Sequence, residues 1–165
     1  MLGFMYRLPE VAAAVGLAQV EKMEWFVDKR VRMGKMYIEA IEGAGCDWLI
    51  PQQTPVGDLN VYYTFGAKFT RDDLSWGDFR KKYTESGGDG IYAAWALCYQ
   101  EDSLEDVQRL LAAMNLQGRL VAEDGICPIA EKLQRQLMQF TTNQRDEEEM
   151  KKQADALHNT IRYFS

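Results

Sequence analysis

Apolar side chains recur at steps of three and four residues through the first forty residues of the chain. After Pro9 they fall at Val11, Val15, Ala18, Met23, Phe26, Val27, Met33, Tyr37, Ile38 and Ile41. This spacing is typical of one apolar face on a helix. Proline suits the first helical position because its missing N–H would be unpaired there. No second proline interrupts the pattern before Gly43, so it predicts one unbroken helix of about 34 residues, longer than usual for a soluble helix.

Alternation replaces this spacing in residues 61–69. There Val61, Tyr63, Phe65, Ala67 and Phe69 share one face of a predicted strand, and that face is expected to enter the core. Shorter strands are predicted at residues 46–51, 90–97 and 137–140.

Sequence patterns that are typical of helix starts lie between and after these strands. Ser75 is followed three residues later by Asp78, a pattern that resembles a capping box. Pro128 begins another predicted helix. The final helix is predicted with the acidic residues 146–149 in its first turn, where they complement the helix dipole. Its predicted buried stripe is Met150, Ala154, Leu157 and Ile161.

The resulting order mixes hairpin-like and crossover connections. It favours an α+β fold, with a long N-terminal helix and a small, mostly antiparallel sheet that has helices packed on one face. We expect residues 1–43 to form an entry segment and linking helix, and residues 44–165 to form an α+β domain in one unit with that helix.

Composition and charge narrow the function classes. The net charge is −6 and no basic stripe is present, which argues against a nucleic-acid partner. No apolar run reaches the roughly 18 residues that span a bilayer, and no signal peptide is predicted, so we expect no membrane partner. Three widely spaced cysteines argue against a disulfide framework and a zinc site. A reducing, cytoplasmic compartment fits best.

The common catalytic motifs are absent from the sequence. The one histidine, His158, is expected to be a partly exposed residue of the last helix. Two stretches of the sequence each allow two interpretations. Residues 87–95 place three glycines before Tyr92 and Trp95, which indicates either a tight turn before a core strand or a pocket lined by aromatic rings. Arg7 precedes the first helix and is either a surface residue or an anion ligand at the helix N-terminus.

Taken together, these segments resemble the C-terminal part of the DegT/DnrJ/StrS-type sugar aminotransferases. The resemblance lies in Gly3-Phe4-Met5-Tyr6-Arg7, in the Ala-rich run to Lys22, in Lys29-Arg30 and Tyr37, and in residues 61–69, 76–83, 87–95, 127–131 and 137–140. It covers nearly the whole chain, and the opening motif is specific only in combination.

The resemblance implies the small domain of a fold-type I enzyme that uses pyridoxal phosphate. It implies that Tyr6 and Arg7 contact the cofactor, in such homodimers usually in the neighbouring subunit. The family has an asparagine where this chain has Met5, which cannot donate a hydrogen bond. Tyr92 and Trp95 fall where relatives bind substrate, here a sugar nucleotide that receives an amino group from a donor such as glutamate.

The same resemblance implies that the Schiff-base lysine lies upstream of the opening motif. We therefore expect no catalytic residue and no bound cofactor in this chain alone, and we expect it to be part of a larger enzyme. One alternative is a stand-alone interaction or regulatory module that keeps the fold without the chemistry. Another is an unrelated small-molecule-binding domain that uses Tyr92 and Trp95. Whether the chain is part of an enzyme or an interaction module, the apolar face over residues 11–26 predicts a homodimer or higher homo-oligomer.

Overall fold

The computed structural model describes residues 8–93, 97–114 and 125–165. Its helices and strands follow one another as α1 Glu10–Val20, α2 Met23–Gly43, β1 Leu49–Pro51, β2 Phe65–Phe69, α3 Trp76–Glu85, β3 Ile91–Ala93, α4 Asp102–Ala113, α5 Pro128–Gln134, β4 Leu137–Phe140 and α6 Glu147–Phe164, with a 3₁₀ turn at Cys98–Gln100. None of the helices in these ranges is both long and apolar enough to cross a membrane.

The four strands of the described chain form one antiparallel sheet in the order β1-β2-β4-β3. Leu49 pairs with Phe69 at one end, Phe65 pairs with Phe140 in the centre, and Ile91 pairs with Phe140 at the other edge. The predicted α+β class is confirmed.

The core lies on one face of this sheet. On that face the side chains of Phe65, Ala67, Met138 and Phe140 are almost completely buried, while Lys68 on the other face is exposed. Aromatic rings of the helices cover the buried face. The Tyr37 ring on α2 lies 5.1 Å from Phe65 and 5.4 Å from Phe140, and the Tyr83 ring on α3 lies 5.6 Å from Phe140. Packing on one face agrees with the alternation of apolar and polar residues along a half-buried strand.

Helix α6 completes this layer. It packs lengthwise against α2 and also contacts α3. Its predicted stripe is confirmed, because Met150, Ala154, Leu157 and Ile161 are all buried. The C-terminal half of α2 therefore belongs to the same core as the rest of the domain.

The unbroken helix predicted between Pro9 and Gly43 is wrong. The helix is interrupted at residues 21–22, where the Lys22 N–H bonds back only three residues, to the Gln19 carbonyl oxygen at 3.1 Å. Lys22 has φ −105° and ψ 5°, outside the helical range. Helix α1 buries none of its residues, so packing within the part of the chain that the structure describes does little to hold it in line with α2. The sequence carries no breaker at this point, which explains why periodicity missed it.

The predicted strand over residues 61–69 is half right. Strand β2 begins only at Phe65, and the inward face reverses before it, with Tyr62 buried while Tyr63 is 82% exposed. Tyr62 has a positive φ of 48°, and its N–H bonds to the Asn60 side-chain oxygen at 2.9 Å. One residue in the left-handed region breaks the two-residue period of a strand, so Val61 and Tyr63 turn outward.

The capping signal predicted at Ser75 is confirmed, whereas Asp146, predicted in the first turn of the last helix, is its N-cap. The Ser75 hydroxyl accepts a hydrogen bond from the Asp78 N–H at 3.0 Å, and the Asp146 carboxylate accepts one from the Glu149 N–H at 2.9 Å. Both bonds satisfy N–H groups that have no partner within the helix. The hydrogen bond that the Asp146 carboxylate accepts from the Glu149 N–H also holds the pKa of Asp146 below its ordinary value.

Candidate functional site

The predicted site residues fall mostly outside the described ranges. Tyr6, Arg7 and Trp95 lie in residues that the structure does not describe. Tyr92 lies on β3, opposite Gln139 of β4 in the sheet register. Its backbone is therefore placed, whereas its side chain is not among those described. The assignment of these four residues to cofactor and substrate stays a prediction.

The glycines before Tyr92 form a tight turn. Gly87 and Gly90 have φ values of 98° and 116°, which L-residues with side chains rarely adopt. Gly88 is needed for a different reason, because a Cβ there would lie 2.2 Å from Cε1 of Tyr83. Ile91 then enters the core almost fully buried. The geometry favours the interpretation of this stretch as a turn leading into a core strand.

Asp89, in the middle of this turn, links three elements. Its carboxylate oxygen accepts hydrogen bonds from the Thr141 hydroxyl at 2.8 Å and the Gln144 amide at 3.0 Å. Its N–H donates to the side-chain oxygen of Gln153 at 2.8 Å, and that oxygen also accepts from the Tyr83 hydroxyl at 3.0 Å. The turn is thereby tied to α3, to α6 and to the chain leaving β4, which fixes where β3 begins.

Two buried tyrosines extend this network into the core. The Tyr37 hydroxyl donates to the Thr141 carbonyl oxygen at 3.0 Å and lies 3.4 Å from the Tyr83 hydroxyl. Burial raises the pKa of both phenols well above the ordinary value, because a phenolate would lose its hydration there. Both hydroxyls therefore stay protonated near neutral pH and act as structural donors rather than as proton-transfer groups.

A second polar junction lies where the chain leaves β3 and later returns to α5. We call residues 97–127 the excursion. One carboxylate oxygen of Glu131 accepts three hydrogen bonds, from the Tyr99 hydroxyl at 2.6 Å, the Gly125 N–H at 2.8 Å and the Cys127 N–H at 3.3 Å. The Tyr99 hydrogen bond contributes most to holding the pKa of Glu131 below its ordinary value. Both ends of the excursion therefore meet at one side chain.

Beside this junction lies a cleft of about 540 Å³. It separates the start of α3 from α5, and its lining includes Trp76, Arg71, Lys132 and Arg135. The Arg71 guanidinium is already paired with Asp73. The cleft was not predicted, since its two walls come from segments about 60 residues apart in the chain.

The N-terminal helices present an apolar surface. Large side chains of α1 and early α2 are exposed by more than a third, namely Val11, Val15, Leu17, Val20, Met23, Trp25 and Phe26. A groove of about 390 Å³ runs between Val20, Met23 and Phe26 on one side and Val61 and Tyr63 on the other. The apolar face predicted for residues 11–26 is thus exposed, as expected for a surface that another body covers.

The described residues do not fit the Schiff-base site of pyridoxal phosphate. Each lysine in the described ranges has its side chain at least partly exposed, whereas a lysine that forms a Schiff base is usually desolvated or lies beside another cation. Among these residues there is also no group of three histidine, cysteine or acidic side chains that could hold a metal ion. His158 is partly exposed on α6, as predicted.

Sequence reasoning missed the two polar junctions at Asp89 and Glu131. Their partners lie 52 to 64 residues away for Asp89 and 32 residues away for the Tyr99–Glu131 bond. One signal was present in each case. Asp89 stands between glycines, and Glu131 follows Pro128 by three residues at the start of a helix, where an acid can bond to free N–H groups.

Comparison with known proteins identifies the family. The chain matches no curated protein. Residues 1–84 match the model of the DegT/DnrJ/EryC1/StrS aminotransferase family, and this match stops before the turn at Asp89 and the strand with Tyr92. It includes the opening motif, both N-terminal helices, β1, β2 and most of α3. Since it spans just over half of the 165 residues, the chain belongs to the DegT/DnrJ/EryC1/StrS aminotransferase family.

Proposed function

We propose that this chain forms the C-terminal small domain of a nucleotide-sugar aminotransferase. The intact enzyme moves an amino group from an amino acid such as glutamate to a keto sugar by means of pyridoxal phosphate. The family match over residues 1–84 carries the proposal. The antiparallel sheet with helices on one face supports it, because a small domain of this kind is what the resemblance implies. In the proposal, Tyr6 and Arg7 reach the cofactor and Tyr92 and Trp95 reach the substrate.

The chain alone is proposed to be inactive. All described lysines lie at the surface, so the lysine that binds the cofactor is proposed to belong to another part of the enzyme. The contribution of this chain is then to bind and orient substrate, and its turn at Asp89 holds the strand that carries Tyr92.

The test of inactivity uses the purified chain and pyridoxal phosphate. We expect no aldimine absorbance at a one-to-one ratio, and after borohydride reduction only sparse labelling spread over several surface lysines. Competition by free lysine serves as the control, because it removes such scattered labelling. One stoichiometric adduct on a single lysine would show that the chain holds the cofactor by itself.

Substrate binding is tested separately with sugar nucleotides. Titration calorimetry with uridine-, guanosine- and thymidine-linked sugars is expected to give binding to at least one of them. Tyr92→Ala is expected to weaken that binding, while Tyr163→Ala, at an exposed position of α6, leaves it unchanged. Equal affinity of both variants would remove Tyr92 from the proposed site, and no binding to any of the three would argue against a substrate role.

A second function, that of an interaction module without catalysis, is favoured by one observation. Helix α1 is apolar on every side, since no charged residue lies between Glu10 and Glu21, and it buries none of its side chains. A helix that is hydrophobic all round is normally covered on all sides. In either function we propose that α1 and early α2 associate with a second protein body, in the first instance another copy of the chain.

A further inference from the structure

The described residues of the excursion, 97–114 and 125–127, are not among the residues of the buried core cluster. No described residue between Ile91 and Met138 belongs to the buried cluster of the domain. Among the side chains described in α4 and directly after it, Val107, Leu110 and Met114 are between 41% and 60% exposed. These three side chains do not anchor the excursion in the core, so the polar contacts at its two ends gain importance.

Glu131 supplies these contacts at both ends. Its bonds to the Gly125 and Cys127 N–H groups are local and resemble the reciprocal bond of a capping box, in which an acid reaches back to free N–H groups. Its bond to the Tyr99 hydroxyl is of another kind, because it crosses 32 residues and brings the start of the excursion to its end. At 2.6 Å it has the length of a strong hydrogen bond to a carboxylate.

Tyr99 lies close in sequence to the strand that carries Tyr92. Strand β3 is fixed by its pairing with β4 up to Ala93, and Tyr99 is fixed six residues later by Glu131. Six residues span at most about 20 Å even when fully extended. The position of Glu131 is therefore coupled through Tyr99 to the end of the strand that carries Tyr92.

We propose that Glu131 is a positioning residue, whose carboxylate joins the two ends of the excursion through Tyr99 and so fixes residues 97–101, which come after the substrate-binding strand; the link to substrate rests on the proposed function. Glu131 does not touch the substrate in this proposal. It acts through Tyr99, and the helix cap at Gly125 and Cys127 gives it the rigid base from which to do so.

Three variants separate the effect of the Tyr99–Glu131 bond from that of the helix cap at Gly125 and Cys127. Tyr99→Phe removes the long-range bond and keeps the two bonds of the helix cap, Glu131→Ala removes all three bonds, and Glu131→Gln keeps an acceptor oxygen and is the conservative replacement. Lys132→Ala changes the next, exposed residue of α5 and is the matched control. Hydrogen exchange followed by mass spectrometry reads the amides of residues 97–101 and 125–127, with peptides of α6 as the internal reference.

Tyr99→Phe is expected to accelerate exchange in residues 97–101 by about tenfold, as for a local opening that loses one hydrogen bond to a charged group. Glu131→Ala is expected to accelerate exchange at both ends, Glu131→Gln to restore much of the protection, and Lys132→Ala to change nothing. Unchanged exchange in residues 97–101 of Tyr99→Phe and Glu131→Ala would overturn the proposal. Equal acceleration in α6 would also overturn it, because it would mean general destabilisation.

A second measurement, of sugar-nucleotide affinity, tests the positioning role of Glu131 and the proposed function separately. The affinity for sugar nucleotides is expected to fall in both Tyr99→Phe and Glu131→Ala, and to recover in Glu131→Gln. If the unaltered chain binds no sugar nucleotide, the proposed substrate role fails. The exchange data still decide whether Glu131 fixes residues 97–101 through Tyr99. If the unaltered chain binds and the variants bind equally well, Glu131 does not position the substrate-binding strand.

Discussion

Tyr62 lies directly over Gly34. A Cβ built on residue 34 would be 2.4 Å from both Cγ and Cδ2 of the tyrosine ring. The positive φ of Tyr62 turns this ring inward, where it also stacks 5.8 Å from Phe65. The loop before β2 can cover α2 only because position 34 carries no side chain.

Gly34→Ala is therefore expected to destabilise the domain. Overpacking a filled site costs about 1–3 kcal/mol, and the better helix propensity of alanine offsets up to about 1 kcal/mol of that. Urea unfolding measures the change. In a Tyr62→Ala background the same substitution is expected to be neutral or stabilising, whereas an equal cost in both backgrounds would contradict the contact. Gly16→Ala is the control, since a Cβ at residue 16 meets nothing within 4 Å.

Ser75→Ala is expected to cost about 1 kcal/mol of unfolding free energy, the usual effect of removing an N-cap side chain. The reason is the lost bond from the Asp78 N–H, which has no partner within α3. Ser75→Thr keeps a hydroxyl and is expected to retain most of the stability. The cap would be unimportant if chemical denaturation gave the same midpoint for all three proteins.

Alkaline pH is expected to unfold the domain through Tyr37 and Tyr83. Burial raises the pKa of both phenols above the ordinary value of 10.0, so the folded chain keeps protons that the unfolded chain releases. This contribution to stability is fully present below pH 10.0 and is lost as the pH rises above it.

Near-ultraviolet absorbance of phenolate measures this effect. Two tyrosines are expected to ionise only together with the loss of the near-ultraviolet circular dichroism of the fold. Tyr37→Phe and Tyr83→Phe should each remove one of these late ionisations. Ionisation of all tyrosines while the folded signal persists would show that the two phenols are not held in the core.

Association through the N-terminal helices is the fourth prediction. Multi-angle light scattering is expected to give a dimer or a higher oligomer. Val11→Glu and Val15→Glu, at positions 78% and 58% exposed, are expected to shift the protein toward the monomer without lowering the unfolding free energy of the monomer. Asn159→Glu adds the same charge at an exposed position of α6 and should leave the association intact. A wild-type chain that stays monomeric at high concentration would contradict the prediction.

The sequence predicted those elements whose signals are local. The Ser75 signal depends on Asp78, three residues later, and the stripe from Met150 to Ile161 repeats with the helical period. Strand β4 was placed at its observed bounds. In each case propensity, capping and burial agree, which is the situation in which a sequence specifies its structure most clearly.

The predictions from sequence were wrong or incomplete where the local structure depends on contacts with residues far away in the chain, or on the lack of such contacts. Tyr62 adopts a positive φ and lies over Gly34, which is 28 residues away in the chain. Helix α1 ends at Val20 although Glu21 and Lys22 are good helix formers, because α1 buries no residue against the described parts of the chain that would prolong it. The bonds of Asp89 and Glu131 join segments whose proximity only the fold creates.

The order of the strands in the sheet determines which part of this domain can change in sequence during evolution. Strands β3 and β4 are adjacent and antiparallel, so residues 94–136 are topologically an insertion into a hairpin. The pairs that set the register of these strands lie outside the insertion, and none of its described residues belongs to the buried cluster. At the end of the insertion, the Gln136 carbonyl oxygen accepts a hydrogen bond from the Phe69 N–H at 2.7 Å. Its length and composition can therefore change while the scaffold stays the same, and new specificities can be acquired there without refolding the rest of the protein.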